Sequence, residues 1–294
     1  MMRYRVRHLT TYTYDDEVTD SLGVAHLVPR ALPWQHVAAY DVTTRPGASD
    51  LRHDTDFYGN TATWFQVTEA HNRLVVEATS EVDVTAPEHD PARLAQPWEA
   101  ARPLVVPTAP GAWRATDFAL PSASVDQVPA ATEYAAASFA PGRPLGDAVL
   151  DLVHRIHADF DYDKTATTVT SRVREVLASR AGVCQDFAHL ALACFRSQGL
   201  AARYVSGYLA TEPAPGRERV VGADASHAWV AVWLPGPDGG AWLAVDPTND
   251  HEVGDRHVTV AWGRDYSDVP PVKGVIVTEA SDSSLEVSVD VAPL

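Results

Sequence analysis

The order of sequence periods along the chain predicts an α+β protein: a β-rich N-terminal region, then helices packed on an antiparallel sheet. Three observations carry this. Residues 1–85 are dense in β-formers that partly alternate with polar residues. Residues 130–198 repeat apolar positions every three to four residues. From Ala202 the period returns to two, in strands that follow one another closely enough to pair antiparallel.

The first region holds Tyr4-Arg5-Val6-Arg7-His8-Leu9 and Thr10-Thr11-Tyr12-Thr13-Tyr14. It goes on through Asp56-Phe57-Tyr58, a turn at Gly59-Asn60, and Thr63-Trp64-Phe65-Gln66-Val67. Arg73–Ala78 and Glu81–Val84 close it. Short strands between turn signals suggest a sandwich or half-barrel. Composition then shifts: Pro87, Pro91, Pro97, Pro103, Pro107, Pro110 and Pro121 break any long element. Residues 86–130 therefore read as a connector wrapped over a surface, with Trp98 and Trp113 expected to dock it. The expected domains are 1–85, a connector 86–130, and a core 131–294 that keeps the C-terminal strands.

Helices open the core. Thr132–Phe139 is short and Ala-rich. Asp147–Phe160 places Ala148, Leu152, Ile156 and Phe160 four apart. Val173, Val176 and Leu177 mark a third helix, and Cys184–Gln198 a fourth, with Phe187, Leu190, Ala191, Cys194 and Phe195 on one face. Strands follow at Ala202–Leu209, His227–Leu234 and Trp242–Asp246, the last two joined by a hairpin through Pro235–Gly240. Val258–Trp262, Gly274–Val277 and Leu285–Val291 are further strands.

Composition narrows the function. A net charge of −16 over 294 residues repels phosphate backbones and argues against nucleic-acid binding. No window approaches 18 apolar residues, so no membrane partner is expected, and the N-terminus lacks the apolar stretch of a signal peptide. The only cysteines, Cys184 and Cys194, stand about 15 Å apart along a helix, too far to bridge. That fits a reducing compartment, and the expected location is cytoplasmic. Oligomeric state is not legible.

The chemistry gathers at Ala181-Gly182-Val183-Cys184-Gln185-Asp186-Phe187-Ala188. The glycine makes a turn and the cysteine falls at a helix start, where free backbone N–H groups stabilise a thiolate. A buried structural cysteine would fit Cys184 taken alone, as it fits Cys194. His227 opens one strand, in Asp224-Ala225-Ser226-His227-Ala228-Trp229. Asp246 ends its hairpin partner, in Val245-Asp246-Pro247-Thr248. Antiparallel register then brings imidazole and carboxylate to one edge of the sheet. A nucleophile, a base and an orienting acid follow in the order Cys184, His227, Asp246.

These blocks, with Ala202-Arg203-Tyr204-Val205-Ser206-Gly207-Tyr208, resemble the bacterial transglutaminase-like proteins, a branch of the papain-like thiol enzyme superfamily. Arg3-Tyr4 through Pro29-Arg30 is similar to that branch's N-terminal β region, and Gly263–Pro271 to its tail. The resemblance implies a papain-like core and thiol-dependent acyl transfer at an amide or peptide carbonyl, through a thioester. The activity is that of a cysteine peptidase, amidase or transamidase, with hydrolysis placed slightly ahead. It implies a protein or peptide substrate and no cofactor. The backbone N–H of Cys184 and Tyr162 are the oxyanion candidates, though a tyrosine packing a helix end would give Tyr162 the same context. Gln185, Tyr208 and Trp229 are expected as cleft or supporting residues. Asp186 is expected to hold the loop by hydrogen bonds.

Two other classes compete. One is a non-catalytic protein-binding module on the same fold, against which three intact triad members argue. The other is a zinc hydrolase using His154 and His157, three apart on one helix beside Asp151. A solvated charged face explains that pair as well, and no metal is expected. Asp250-His251-Glu252 and Asp255-Arg256-His257 read as a polar loop. Asp15-Asp16-Glu17 lacks the glycine and final glutamate of a calcium loop.

Overall fold

The structure, a computed structural model, describes residues 1–211 and 226–294. Five strands come first: β1 (Met2–Ala25), β2 (Gln35–Arg45), β3 (Asp50–Thr55), β4 (Thr61–Val67) and β5 (His71–Val84). Alternation shapes β1, whose Tyr4, Val6, His8 and Thr10 point inward while Arg3, Arg5 and Arg7 face solvent. The sequence divides β1 into two short runs and β5 into two more; in the structure each is one long strand. Strands β2 and β3, which carry largely exposed side chains, leave no apolar alternation in the sequence.

The connector is structured. It holds α1 (Pro91–Ala95), α2 (Ala112–Thr116) and two 3₁₀ turns, Trp98–Ala101 and Asp117–Ala119. Trp98 docks as expected: it is buried against Phe139 and its indole donates to the Ala140 carbonyl at 3.0 Å. Trp113 does not dock. It is 73% exposed, because α2 turns Ala112 and Ala115 inward, three residues apart, and leaves Trp113 on its other face.

The core follows with α3 (Pro129–Ala136), α4 (Leu145–Asp159), β6 (Asp161–Tyr162), α5 (Val173–Ser179), β7 (Ala181–Gly182) and α6 (Cys184–Ser197). Helix α6 is the central one, with every residue from Asp186 to Arg196 buried. It lies against a five-stranded antiparallel sheet of order β11-β10-β9-β8-β12. Those strands are β8 (Ala202–Leu209), β9 (Ser226–Leu234), β10 (Ala241–Asp246), β11 (His251–Glu252) and β12 (His257–Gly263). Among the described residues no helix is long and apolar enough to cross a membrane.

The last two strands, β13 (Val272–Thr278) and β14 (Ser283–Pro293), leave the core. The sequence reading assigns them to a 131–294 core; instead both pair antiparallel with β1 and complete the seven-stranded N-terminal sheet. Strand β1 is the spine of that half-barrel. One edge meets β5 and then β4, the other β14 and then β13, each pair running nearly end to end. One half of the sheet closes on its own apolar cluster, including Val18, Phe65, Val67 and Val76. The other half shares the main core: Tyr4, Val6, Val82, Val84, Val289 and Val291 pack in one cluster with α4, α6 and the five-stranded sheet. The two regions are therefore fused through a common interior, and that fixes β1 and β14 beside the start of α6.

Candidate active site

Cys184 is the first residue of α6 and is partly exposed. The turn before it is held by Asp186, whose buried carboxylate accepts from the Val183 N–H at 2.9 Å and the Thr167 hydroxyl at 2.6 Å. Burial raises the Asp186 carboxyl despite those bonds. Gly182 is required here: a Cβ at that position would stand 2.8 Å from Oδ2 and 2.9 Å from Cβ of Asp186. The sequence thus encodes a sharp approach into a helix whose first N–H groups have no helical acceptor.

The sheet brings the other two groups. In the β9–β10 hairpin Val230 pairs with Val245, so the register carried outward sets His227 level with the residues just past Asp246. His227 Nε2 donates to Asp246 Oδ2 at 2.6 Å, the Cys184 thiol is a second side-chain partner of the ring, and the Asn249 amide nitrogen stands 3.3 Å from Nε2. Asp224 and Ala225, which begin the histidine motif, lie outside the described residues. Burial opposes charge on His227, but hydrogen bonds to Asp246 and Cys184, and their negative charge, prevail; the imidazole is pushed up to about 10.

Asp246 is fully buried and saturated with donors. Its Oδ1 accepts from the N–H groups of Thr248 (2.9 Å) and Asn249 (3.2 Å). Its Oδ2 receives His227, the Asn249 side-chain amide at 2.7 Å and His257 Nε2 at 3.3 Å. Burial alone would raise the carboxyl, but these bonds and the imidazolium hold it well below the usual carboxylate range.

The cleft over Cys184 encloses about 370 Å³. Tyr162, Val169, Gln185, Tyr204 and Tyr266 of the core face it, and so do His8, Thr10 and Tyr12 of β1 and Leu285 and Val287 of β14. Tyr162 reaches it because β6 runs parallel to β7, which sets Tyr162 beside Gly182; its ring also meets the edge of Phe187 at 6.5 Å. The Gln185 amide donates to the Val169 carbonyl at 3.1 Å.

Tyr208 and Trp229 are not cleft walls. Tyr208 is buried behind the cleft, where its hydroxyl meets His8 Nδ1 at 3.1 Å. Trp229 lies among Val205, Ala231 and Val253, on the sheet face opposite Tyr204 and Tyr208. Alternation along the strands decides both positions. His154 and His157 do not face a common point: His154 Nδ1 meets Asp250 Oδ2 at 2.7 Å and His157 Nδ1 the Thr248 carbonyl at 2.9 Å. They tie α4 to the turn after Asp246.

Sequence reasoning missed Asn249 and His257. Asn249 has a signal, since an Asp-Pro-Thr-Asn turn places its amide beside the aspartate it follows. His257 has none: the polar-loop reading fails because His257 opens β12 and is buried. His227, Asp246 and His257 also offer ligand atoms within 4.8 Å of one another. A 2.6 Å contact between His227 and Asp246 is too short to seat an ion, since two tetrahedral zinc ligands stand roughly 3.3 Å apart.

A helix-borne thiol set against a sheet-borne imidazole–carboxylate pair, under an N-terminal β half-barrel, defines a transglutaminase-like α+β protein. Residues 4–83 match the bacterial transglutaminase-like N-terminal region, and residues 133–247 match the transglutaminase-like superfamily core. The chain belongs to that superfamily and carries that N-terminal region. An uncharacterized protein of Mycobacterium tuberculosis is 48% identical, over 99% of this chain and 93% of its own length. One from Mycobacterium leprae is 34% identical, with 100% of each chain covered. A solved structure from Cytophaga hutchinsonii, named a "putative cysteine protease", superposes with a TM-score of 0.71 at 18% identity, covering 100% of this chain and 98% of that one. This last likeness concerns the fold.

Proposed function

We propose that this protein is a thiol-dependent acyl transferase acting on amide or peptide carbonyls, with hydrolysis favoured over transamidation. The observation that carries the reading is the placing of the His227 imidazole between the thiol of Cys184 and the buried Asp246 carboxylate, 2.6 Å away, at the floor of a cleft, where both partners favour its charged form. A cation beside a thiol stabilises the thiolate. The Cys184 sulfur attacks the carbonyl carbon. His227 then gives its proton to the leaving amine as the C–N bond breaks, and a thioester remains. Water, deprotonated by the now neutral ring, releases the acid; an amine in its place would yield a new amide. The Cys184 N–H at the helix start and the Tyr162 hydroxyl are the donors proposed for the oxyanion.

Peptide is the proposed substrate class, because tyrosines and aliphatic side chains alternate with Thr10, Gln185 and Ser206 along the walls. The free thiols suit a reducing, cytoplasmic setting. The test is intact-mass and peptide mapping of the wild type and Cys184→Ala after incubation with casein, with and without dansylcadaverine. The expected result is an acyl adduct on Cys184 in the wild type alone, with new chain ends or deamidated side chains exceeding dansyl incorporation. Absence of any adduct or Cys184-dependent product on casein and on a blocked peptide-amide library would refute it.

A further inference from the structure

We infer that His257 is a positioning residue of the same site: a neutral imidazole that donates Nε2–H to Asp246 Oδ2 and keeps the carboxylate ionised and aimed at His227. The inference rests on the reading of Cys184, His227 and Asp246 as the working triad. Its observations are separate from those of the triad. His257 Nδ1 receives the Gly254 N–H at 3.4 Å. A ring nitrogen that accepts a backbone hydrogen carries none of its own, so the ring's one hydrogen is on Nε2, directed at Asp246, 3.3 Å away. Packing holds that orientation. The ring is buried and meets Trp229 edge-on at 5.2 Å and His251 at 5.3 Å.

Charge explains why the ring is neutral. The groups that face it are Asp246 on β10, His227 on β9 and His251 on β11, with Glu252, Asp255 and Arg256 around the adjoining surface hollow. Burial disfavours a second imidazolium, and the charges of His227 and His251 add to that; Asp246 opposes them without prevailing. A neutral donor has a consequence that a charged one would not. It steadies the carboxylate without cancelling its charge, so Asp246 still favours the imidazolium on His227. The carboxylate's other donors, Asn249 and two backbone N–H groups, act in the same sense. Together they lower its proton affinity, so the proton in the 2.6 Å contact stays on His227.

The experiment is the pH profile of Cys184 alkylation by iodoacetamide in the wild type, His257→Gln and His257→Phe, with thermal melts of each. It needs no substrate. The glutamine side-chain N–H can stand where Nε2–H stood; phenylalanine fills the space and donates nothing. His257→Gln should keep the wild-type profile. His257→Phe leaves Asp246 more basic and its negative charge less balanced, so both inflections should move to higher pH, by about 0.5 to 1. A folded His257→Phe with the wild-type profile, or Gln and Phe displaced equally, overturns the positioning role while leaving the triad standing. A wild-type Cys184 that alkylates no faster than Cys194 overturns the triad and this role with it. Should His257→Phe fail to fold, long-range ¹H–¹⁵N spectra of the wild type decide: a neutral Nε2–H tautomer at His257 between pH 6 and 8 supports the inference, and an Nδ1–H or charged ring refutes it.

Discussion

Replacing Asp246 by asparagine separates the two services a triad acid performs, holding the ring and favouring its charge. A ring held at about 10 rather than 6.5 has about 5 kcal/mol of preference for the charged form. Burial opposes that charge, so the hydrogen bonds and negative charges of Asp246, the foremost, and Cys184 together outweigh it. Losing one opposite charge at hydrogen-bond distance should remove roughly 2–3 kcal/mol, a factor of about 30–150. Asparagine still offers an oxygen to His227. Its amide nitrogen must then face the Thr248 and Asn249 N–H groups that now bond Oδ1, donor against donor, at about 1–3 kcal/mol of stability. Alanine removes the oxygen too and leaves the ring unanchored. The assay is turnover of one amide substrate by Asp246→Asn and Asp246→Ala, beside iodoacetamide rates and thermal melts. Asn should retain activity within about 150-fold of the wild type, and Ala should fall at least about 10-fold lower. If Asn proves as damaging as Ala in well-folded protein, the resting ion pair does not form. His227 would then act as a neutral base, as in serine triads, where the same exchange costs about 10⁴.

Three further outcomes follow from the geometry. Cys184 should alkylate with iodoacetamide far faster than Cys194 in the folded protein, since Cys194 is fully buried and its thiol is pushed up to about 12 by that burial; equal rates would contradict the assignment. Stability should fall with acid between pH 6.5 and 4: burial holds His8 and His189 down to about 4, so in this window the unfolded chain binds more protons than the folded one. Each ring contributes about 3 kcal/mol that is complete above 6.5 and lost as pH falls through 4, and urea midpoints unchanged from pH 7.5 to 4.5 would refute this. Gly182→Ala should displace Asp186, cost about 1–3 kcal/mol and slow Cys184 alkylation, because the new methyl collides with the carboxylate that bonds Val183; a variant with the wild-type melt and wild-type rate would show that the turn relaxes freely.

The proposed triad is legible in the sequence because each member has a local address. Cys184 follows a glycine turn into a helix, and His227 and Asp246 stand near the ends of hairpin strands whose loop fixes their register. Tyr208 and Trp229, expected as cleft or supporting residues, take the second place: Tyr208 backs His8, and Trp229 packs on His227 and His257. The sequence leaves the two places open because an aromatic residue in a buried strand has the same context on either face. Only the pairing of strands with their neighbours decides that Tyr208 meets His8 and that Trp229 lies on the opposite side. His257 is invisible for a related reason: a histidine eleven residues past Asp246 reaches it only because β12 pairs with β8 at the far edge of the sheet.

Periodicity and local turn chemistry by themselves determine the class of fold, the main helices and strands of the core, and the three side chains proposed to react, since these depend on residues within a turn or a hairpin of one another. Tertiary structure alone decided that β13 and β14 abandon the core for β1, some 247 to 289 residues away, and that one apolar interior joins both regions. Alternating valines in β14 state that one face must be buried but not against which strand. The entropy of closing so long a loop grows only slowly with its length, so sequence distance does not prevent the pairing. What selects it is the apolar face that β1, β5 and β14 bury together, and that choice puts His8, Tyr12, Leu285 and Val287 over Cys184.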